Sequence, residues 1–460
     1  MLDQSAESAI ASHDAFAIAS HDAFTMASHD AFAMTIAYPL VVGASVLAAC
    51  MMPLLIQFGA AQSAYMRVDG QWSDYAKGMI WAVLIALTIV FWPARRVMKM
   101  PLLWAWLFRA FVALIVSLPF YHHYSSLDPY LYFGSRTTFP DLNHVGFEYG
   151  TQNIIALVWI VNRVIPDSFH AMNLTFALFS LMGMYCFFMA SEAFLRFSSR
   201  PIFYLLMLEP SLTFWTASVG KESIMTFAVG LYTYAVVAWW RTRRGRHLLQ
   251  AAAGILMASL IRTWMAGIMV VPLIVLVYAL ERGILSWIVT TIVIVAAVSA
   301  ALPCILEAFY LQAAQDITEQ IATISGRFNL GESAGAAFAL DGPADIARYA
   351  PLGMFSALFR PLPGDVMNAF GAVAGIEGVI LLGLFARAVK RSRLRDFRDP
   401  LVTWAAAVVV IWALIYAFVS SQNFGTAVRY RAQILPIFLG LLLYLGRNRQ
   451  PGLLAMRSTS

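Results

Sequence analysis

The sequence predicts an all-α, polytopic membrane protein of about twelve transmembrane helices, and three observations carry that prediction. First, the 460-residue chain is 60% hydrophobic and 12% charged, whereas soluble domains carry about 25% charged residues. Second, twelve apolar runs lie near 35–59, 77–94, 101–120, 168–192, 201–217, 221–240, 247–262, 264–281, 284–303, 366–388, 400–420 and 431–447. They approach the ~20 residues that cross a bilayer as a helix, the form in which a lone segment satisfies its own backbone in lipid. Third, the basic clusters fall on one side of this pattern. They are Arg95, Arg96 and Lys99; Arg196 and Arg200; Arg241 to Arg246; Arg387 to Arg398; and Arg447 with Arg449. An excess of Lys and Arg marks cytoplasmic loops, so both termini are expected inside.

Within residues 1–34, positions 11–34 are three copies of an eight-residue unit, Ala-Ser-His-Asp-Ala-Phe-Ala-Ile and two close variants. His13, His21 and His29 with Asp14, Asp22 and Asp30 could ligate a metal, but a low-complexity tail reads first as a tandem duplication. The segment has no Lys, no Arg and no apolar core, so no cleavable signal is expected. Residues 35–303 are expected to hold helices one to nine, with an outer loop at 121–149. A large outer loop is expected at 304–365, helices ten to twelve at 366–447 and a cytoplasmic tail at 448–460. The charge pattern closes only if 150–166 does not span. That segment is therefore expected to lie in the interface or to re-enter the membrane.

The net charge of +6 accompanies arginine-rich inner loops and gives no nucleic-acid signature. Cys50, Cys186 and Cys304 are too scattered for a disulfide framework or metal site. No phosphate-binding loop, dinucleotide glycine fingerprint or nucleophile elbow is present.

Polar groups that are costly in lipid gather at the outer ends of the runs. Lys221 and Glu222 open run six, Arg262 lies between runs seven and eight, Arg360 precedes run ten, and Arg429 and Arg431 precede run twelve in a stretch expected to be a polar hairpin between two apolar runs. Arginine presents a planar fork of donors that matches phosphate oxygens, so one anionic site could use all five cations. Asp128 and Glu222 are the candidate general bases. Tyr130 could stack on a sugar ring. Asp128 also reads as a turn opener before Pro129, and Glu222 as a favourable first-turn charge. Glu209, Glu377 and Arg109 lie inside apolar runs and read as polar partners within the bundle. His122 and His123 with Asp128 make too weak a set for a metal site.

Three strings resemble the Wzy-type polymerases of exopolysaccharide and O-antigen assembly and neighbouring GT-C-type glycosyltransferases. They are Pro210-Ser-Leu-Thr-Phe-Trp-Thr-Ala-Ser-Val-Gly-Lys221-Glu222, Leu358-Phe-Arg360-Pro-Leu-Pro363, and Gly425-Thr-Ala-Val-Arg-Tyr-Arg431-Ala-Gln-Ile-Leu-Pro436. The resemblance implies a bacterial inner-membrane enzyme with its site at the periplasmic face and no cofactor. Its substrate would be an oligosaccharide on undecaprenyl pyrophosphate, and other polysaccharide assembly proteins would be partners. Arg429, Arg431, Arg360, Lys221 and Arg262 would hold the pyrophosphate, and Asp128 or Glu222 would activate the acceptor. Metal-dependent GT-C enzymes carry an acidic pair in the first outer loop; here 60–77 holds only the separated Asp69 and Asp74. A precursor transporter or flippase, or a non-catalytic assembly subunit, is the alternative.

Overall fold

The computed structural model describes residues 54, 57, 70–123, 128–141, 144–145, 150–278, 288, 333–335 and 343–448. The expected tail at 1–34 and almost all of the runs at 35–59 and 284–303 lie outside the described residues. The chain divides into two compact units, 1–72 and 73–460, and the helical bundle belongs to the second. Among the described residues every regular element is a helix, and the one strand-like pairing is a bridge between Ala334 and Asn423.

The order is α1 (Gln71–Ile89), α2 (Arg96–Phe111) running through a π turn into α3 (Leu118–His123), α4 (Asp128–Gly134) and α5 (Thr151–Asn162). Then come α6 (Phe169–Leu195), α7 (Arg200–Leu208), α8 (Pro210–Trp215), α9 (Lys221–Thr242), α10 (Arg246–Ile261) and α11 (Met265–Tyr278). The last group is α12 (Pro343–Phe359), α13 (Ala369–Arg391), α14 (Pro400–Gln422), α15 (Phe424–Arg431) and α16 (Leu435–Leu445). Five helical segments are long and apolar enough to cross a membrane: 96–123, α6, α9, α13 and α14. The pair α15–α16, bent by 76°, makes a sixth if it is one span. Half or more of the apolar stretch is buried in four of these five, against 22% in α13, so α13 presents most of its apolar surface outward.

Three segments differ from their expected form, each for a local reason. The run at 201–217 is broken at Glu209–Pro210. Proline has no N–H to continue α7, and the Glu209 carboxylate instead caps α8 by accepting from Leu212 N at 2.6 Å. The polar stretch before run twelve is not an open hairpin. It forms the eight-residue α15, capped by Asn423 Oδ1 accepting from Thr426 N at 2.9 Å. Within 304–365, residues 343–359 form α12, which packs along α14. The segment at 150–166 contains the 12-residue α5, shorter than a straight span.

At the centre, α9 packs between α6 and α10. The α6 and α9 backbones meet at Gly183 and Gly230. A Cβ on Gly230 would collide with the Gly183 carbonyl, so small residues set this separation. The start of α6 is pinned by Asp74, whose carboxylate accepts from Phe169 N at 2.9 Å while its carbonyl accepts from Ser168 Oγ at 2.9 Å. The bundle has a chemical polarity. Arg95 pairs with Glu192, Arg241 Nη2 donates to Phe194 O at 3.0 Å, and Arg447 pairs with Asp396 at 3.0 Å. These contacts gather the basic clusters at one end. The 22-residue α9 runs from there to Lys221, about 30 Å away at 1.5 Å per residue.

Candidate functional site

At the other end, four helices converge on a chain of alternating charges. Glu222 stands in the first turn of α9 and its side chain is 3% exposed. One carboxylate oxygen accepts from Arg262 Nη2 at 2.8 Å, and the other from Arg429 Nη2 at 2.9 Å. The same Arg429 nitrogen donates to Asp128 Oδ2 at 2.7 Å, from the first turn of α4. Asp128 is the accessible terminus, with 44% of its side chain exposed.

Aromatic groups fix the buried terminus. Arg262, between α10 and α11, donates from Nη1 to the Tyr416 hydroxyl at 3.1 Å, and Trp264 Nε1 donates to the same oxygen at 2.8 Å. The Arg262 guanidinium lies 3.9 Å from the Tyr430 ring centroid, a cation–π contact. Charge-assisted hydrogen bonds and stacking together hold Glu222 and Arg262 in one arrangement.

A second layer places the first turn of α9. Arg109 is fully buried and donates from Nη1 to Ser180 Oγ at 2.7 Å and to Thr216 Oγ1 at 2.9 Å. Ser180 Oγ and Ser223 Oγ both donate to Thr216 O, at 2.9 and 3.1 Å. Thr216 opens the turn into α9, so these contacts fix where Lys221 and Glu222 emerge. Lys221 Nζ donates to Thr151 Oγ1 at 2.9 Å, at the start of α5. Asn153 Nδ2 and Gly150 N donate to Leu260 O at 2.6 and 3.1 Å, which ties α5 to the end of α10 beside Arg262.

The five candidate cations do not form one group. Lys221, Arg262 and Arg429 surround Glu222, whereas Arg431 faces away. Residues two apart on a helix lie about 200° apart, so Arg429 and Arg431 on α15 must point to opposite sides. Arg431 is fully buried, pairs with Glu377 at 2.7 Å and donates to the carbonyls of Leu358 and Arg360 at 3.1 Å each. Ser211 donates to the other Glu377 oxygen, and Glu209 neighbours this group. Arg360 forms a fork with Asp365, with Nε to Oδ2 at 2.8 Å, and lies 4.2 Å from the Phe424 ring centroid. That hydrogen bond holds the Asp365 carboxyl below the usual carboxylate range. Asp365 also accepts from Leu362 N at 2.6 Å, so the pair closes the turn between α12 and α13.

Tyr130 is partly buried. Its ring stacks on Phe169 with centroids 5.3 Å apart, and its hydroxyl donates to Tyr121 O at 3.3 Å. One ring face is therefore already occupied, and burial raises the phenol's pKa, keeping it protonated. Two site residues were missed by sequence reasoning, Tyr416 and Tyr430. Tyr416 is the one tyrosine in the apolar stretch 400–422, which was the available signal.

Chemically, the accessible part of the cluster is the Asp128–Arg429 pair. Arg429 spends one nitrogen, Nη2, on both carboxylates, and its Nε and Nη1 make no hydrogen bond among the described residues. The fold and this cluster define the class: an α-helical membrane protein with a carboxylate–arginine site at one end of its bundle. No protein-family model, curated protein or solved structure matches the chain.

Proposed function

We propose that the protein is an inner-membrane glycosyltransferase of the polysaccharide-polymerase kind. It would act at the periplasmic face on oligosaccharide carried by undecaprenyl pyrophosphate. The observation that carries this reading is the Asp128–Arg429 pair at the accessible edge of the cluster, with two Arg429 nitrogens unspent beside Lys221. Asp128 accepts the proton of an acceptor sugar hydroxyl as that oxygen attacks the anomeric carbon. The bond to the lipid pyrophosphate breaks, and Arg429 with Lys221 stabilises the charge that develops on the leaving group. Glu222 is buried between two guanidinium groups. Its role is to position Arg429, while Arg262 keeps Glu222 in place. Arg431 and Arg360 act on the frame. The positive-inside pattern puts the basic end in the cytoplasm, with both termini, and this cluster outside.

The test is in vitro transfer from a purified lipid-linked oligosaccharide by the full chain in proteoliposomes. Arg429→Ala is expected to lower turnover about a hundredfold or more, the usual scale for one donor to a developing anion. Arg429→Lys should recover only part of it, because an ammonium keeps the charge and loses the fork. Asp128→Asn should lower turnover while leaving binding of the lipid-linked donor near wild type. Normal transfer by Arg429→Ala would reject the reading. A flippase is the second reading, favoured by the buried Arg431–Glu377 pair with Glu209 beside it. It requires translocation of the same lipid without new glycosidic bonds.

A further inference from the structure

Far from the charged cluster, at the basic end, two cavities adjoin. The first, about 370 Å³, lies among α6, α7, α9, α14 and α16 and is almost wholly apolar. Phe187, Leu206, Val237, Trp404, Gly440 and Leu443 are among the residues lining it. The second, about 410 Å³, is lined by Arg95, Glu192, Arg196, Ser198 and Tyr234. Phe197 borders both. The polar contacts of the second are few. Arg95 pairs with Glu192 and donates to Ser198 Oγ at 3.3 Å. Arg196 has no acidic partner among the described residues and ends α6 in the left-handed conformation, at φ 63°. Arg447 lines the apolar cavity and pairs with Asp396. Arg95, Arg196 and Arg447 against Glu192 and Asp396 leave this mouth with an excess of one positive charge.

We infer that these two adjoining cavities form a binding site for one anionic phospholipid, with an acyl chain in the apolar cavity and the phosphate-bearing headgroup against Arg95 and Arg196. Size and charge support that occupant. At about 30 Å³ for each water-sized group, 370 Å³ holds about a dozen methylenes, the bulk of one acyl chain. A polyprenyl chain of fifty-five carbons would leave most of its length outside. An apolar slot that ends in a basic mouth matches an amphiphile carrying a negative headgroup, and the excess charge disfavours a neutral one. The inference rests on the helical membrane fold and is independent of the chemistry proposed at the other end.

Two substitutions test it without threatening the fold. Arg196→Gly removes the unpaired charge at a left-handed position that glycine prefers. Gly440→Leu places a side chain where a Cβ meets open space and puts a better helix former in α16. Purified full-length protein would be titrated with a sixteen- to eighteen-carbon phosphatidylglycerol, the matching phosphatidylcholine and undecaprenyl phosphate. Bound lipid would be counted by native mass spectrometry, and thermal unfolding would verify each variant. Wild type is expected to retain one phosphatidylglycerol at least tenfold more tightly than phosphatidylcholine. Arg196→Gly should remove most of that preference, and Gly440→Leu should weaken both phospholipids. Equal retention of the two phospholipids by wild type, or unchanged retention in both variants, overturns the site. Tighter retention of undecaprenyl phosphate overturns the occupant. Glycosyl transfer should persist in both variants, so failure here and failure of the proposed reaction are distinguishable.

Discussion

Replacing Arg431 by alanine should unfold the protein more readily, and the structure says by how much. The Arg431 side chain is fully buried and that of Glu377 is 11% exposed, with 2.7 Å between them. Removing one member of such a pair strands the other without its counter-ion, which costs about 3–5 kcal/mol. The carbonyls of Leu358 and Arg360 lose a donor at the same time. Those losses overlap with the first, so the working expectation stays at about 3–5 kcal/mol, at least a hundredfold in the folded ratio. The assay is thermal unfolding of detergent-purified protein, read as the midpoint and as the fraction still monodisperse after heating. A double variant, Arg431→Met with Glu377→Leu, removes both charges and fills the space with apolar volume. It should recover most of the lost stability, because well-packed apolar replacements of buried ion pairs are often neutral or better. The single variants Arg431→Met and Glu377→Leu, with this double, close a cycle that isolates the pair from its surroundings. If Arg431→Ala melts like wild type yet abolishes glycosyl transfer, the structural assignment is wrong and Arg431 belongs with Arg429 in the site.

Three other outcomes follow from the same geometry. Tyr416→Phe removes the oxygen shared by Arg262 and Trp264 and should lower transfer with little change in donor binding, since Arg262 acts through Glu222; equal losses in both would contradict that. Asp365→Asn should destabilise at neutral pH. Because the folded Asp365 pKa is depressed, its contribution is fully present above the unfolded value, about 3.9, and is lost as pH falls through the lower folded value. The gap between wild type and variant should therefore be constant from pH 7 to about pH 5 and close under stronger acid, and a gap that widens on acidification would refute the linkage. Reporter fusions after Asn423 should be active only as periplasmic reporters and those after Arg393 only as cytoplasmic ones; the reverse pattern would invert the orientation.

The helical character was legible because composition and run length speak directly to the bilayer. The runs at 168–192, 221–240, 366–388 and 400–420 correspond closely to α6, α9, α13 and α14. The breaks were less legible. Pro210 marks a stop wherever it falls, but whether a preceding glutamate caps the next helix depends on its rotamer and burial. Asp74 was read only as one of two separated acids, and its carboxylate instead caps the start of α6 from far away in sequence. Contacts of that kind leave no periodic trace.

The site shows the same division more sharply. Lys221, the acid beside it and arginines near span ends were visible as costly residues in costly places, and Asp128, Glu222, Arg262 and Arg429 do meet. Arg429 and Arg431 looked equivalent because a two-residue spacing in an open hairpin lets both side chains reach one ligand. In a helix the same spacing separates them by about 200°. The capping bond from Asn423, which starts α15, therefore decides which arginine faces the accessible Asp128 and which is buried against Glu377. A hydrogen bond of 2.9 Å at the start of an eight-residue helix thus assigns one arginine to the site and the other to the frame.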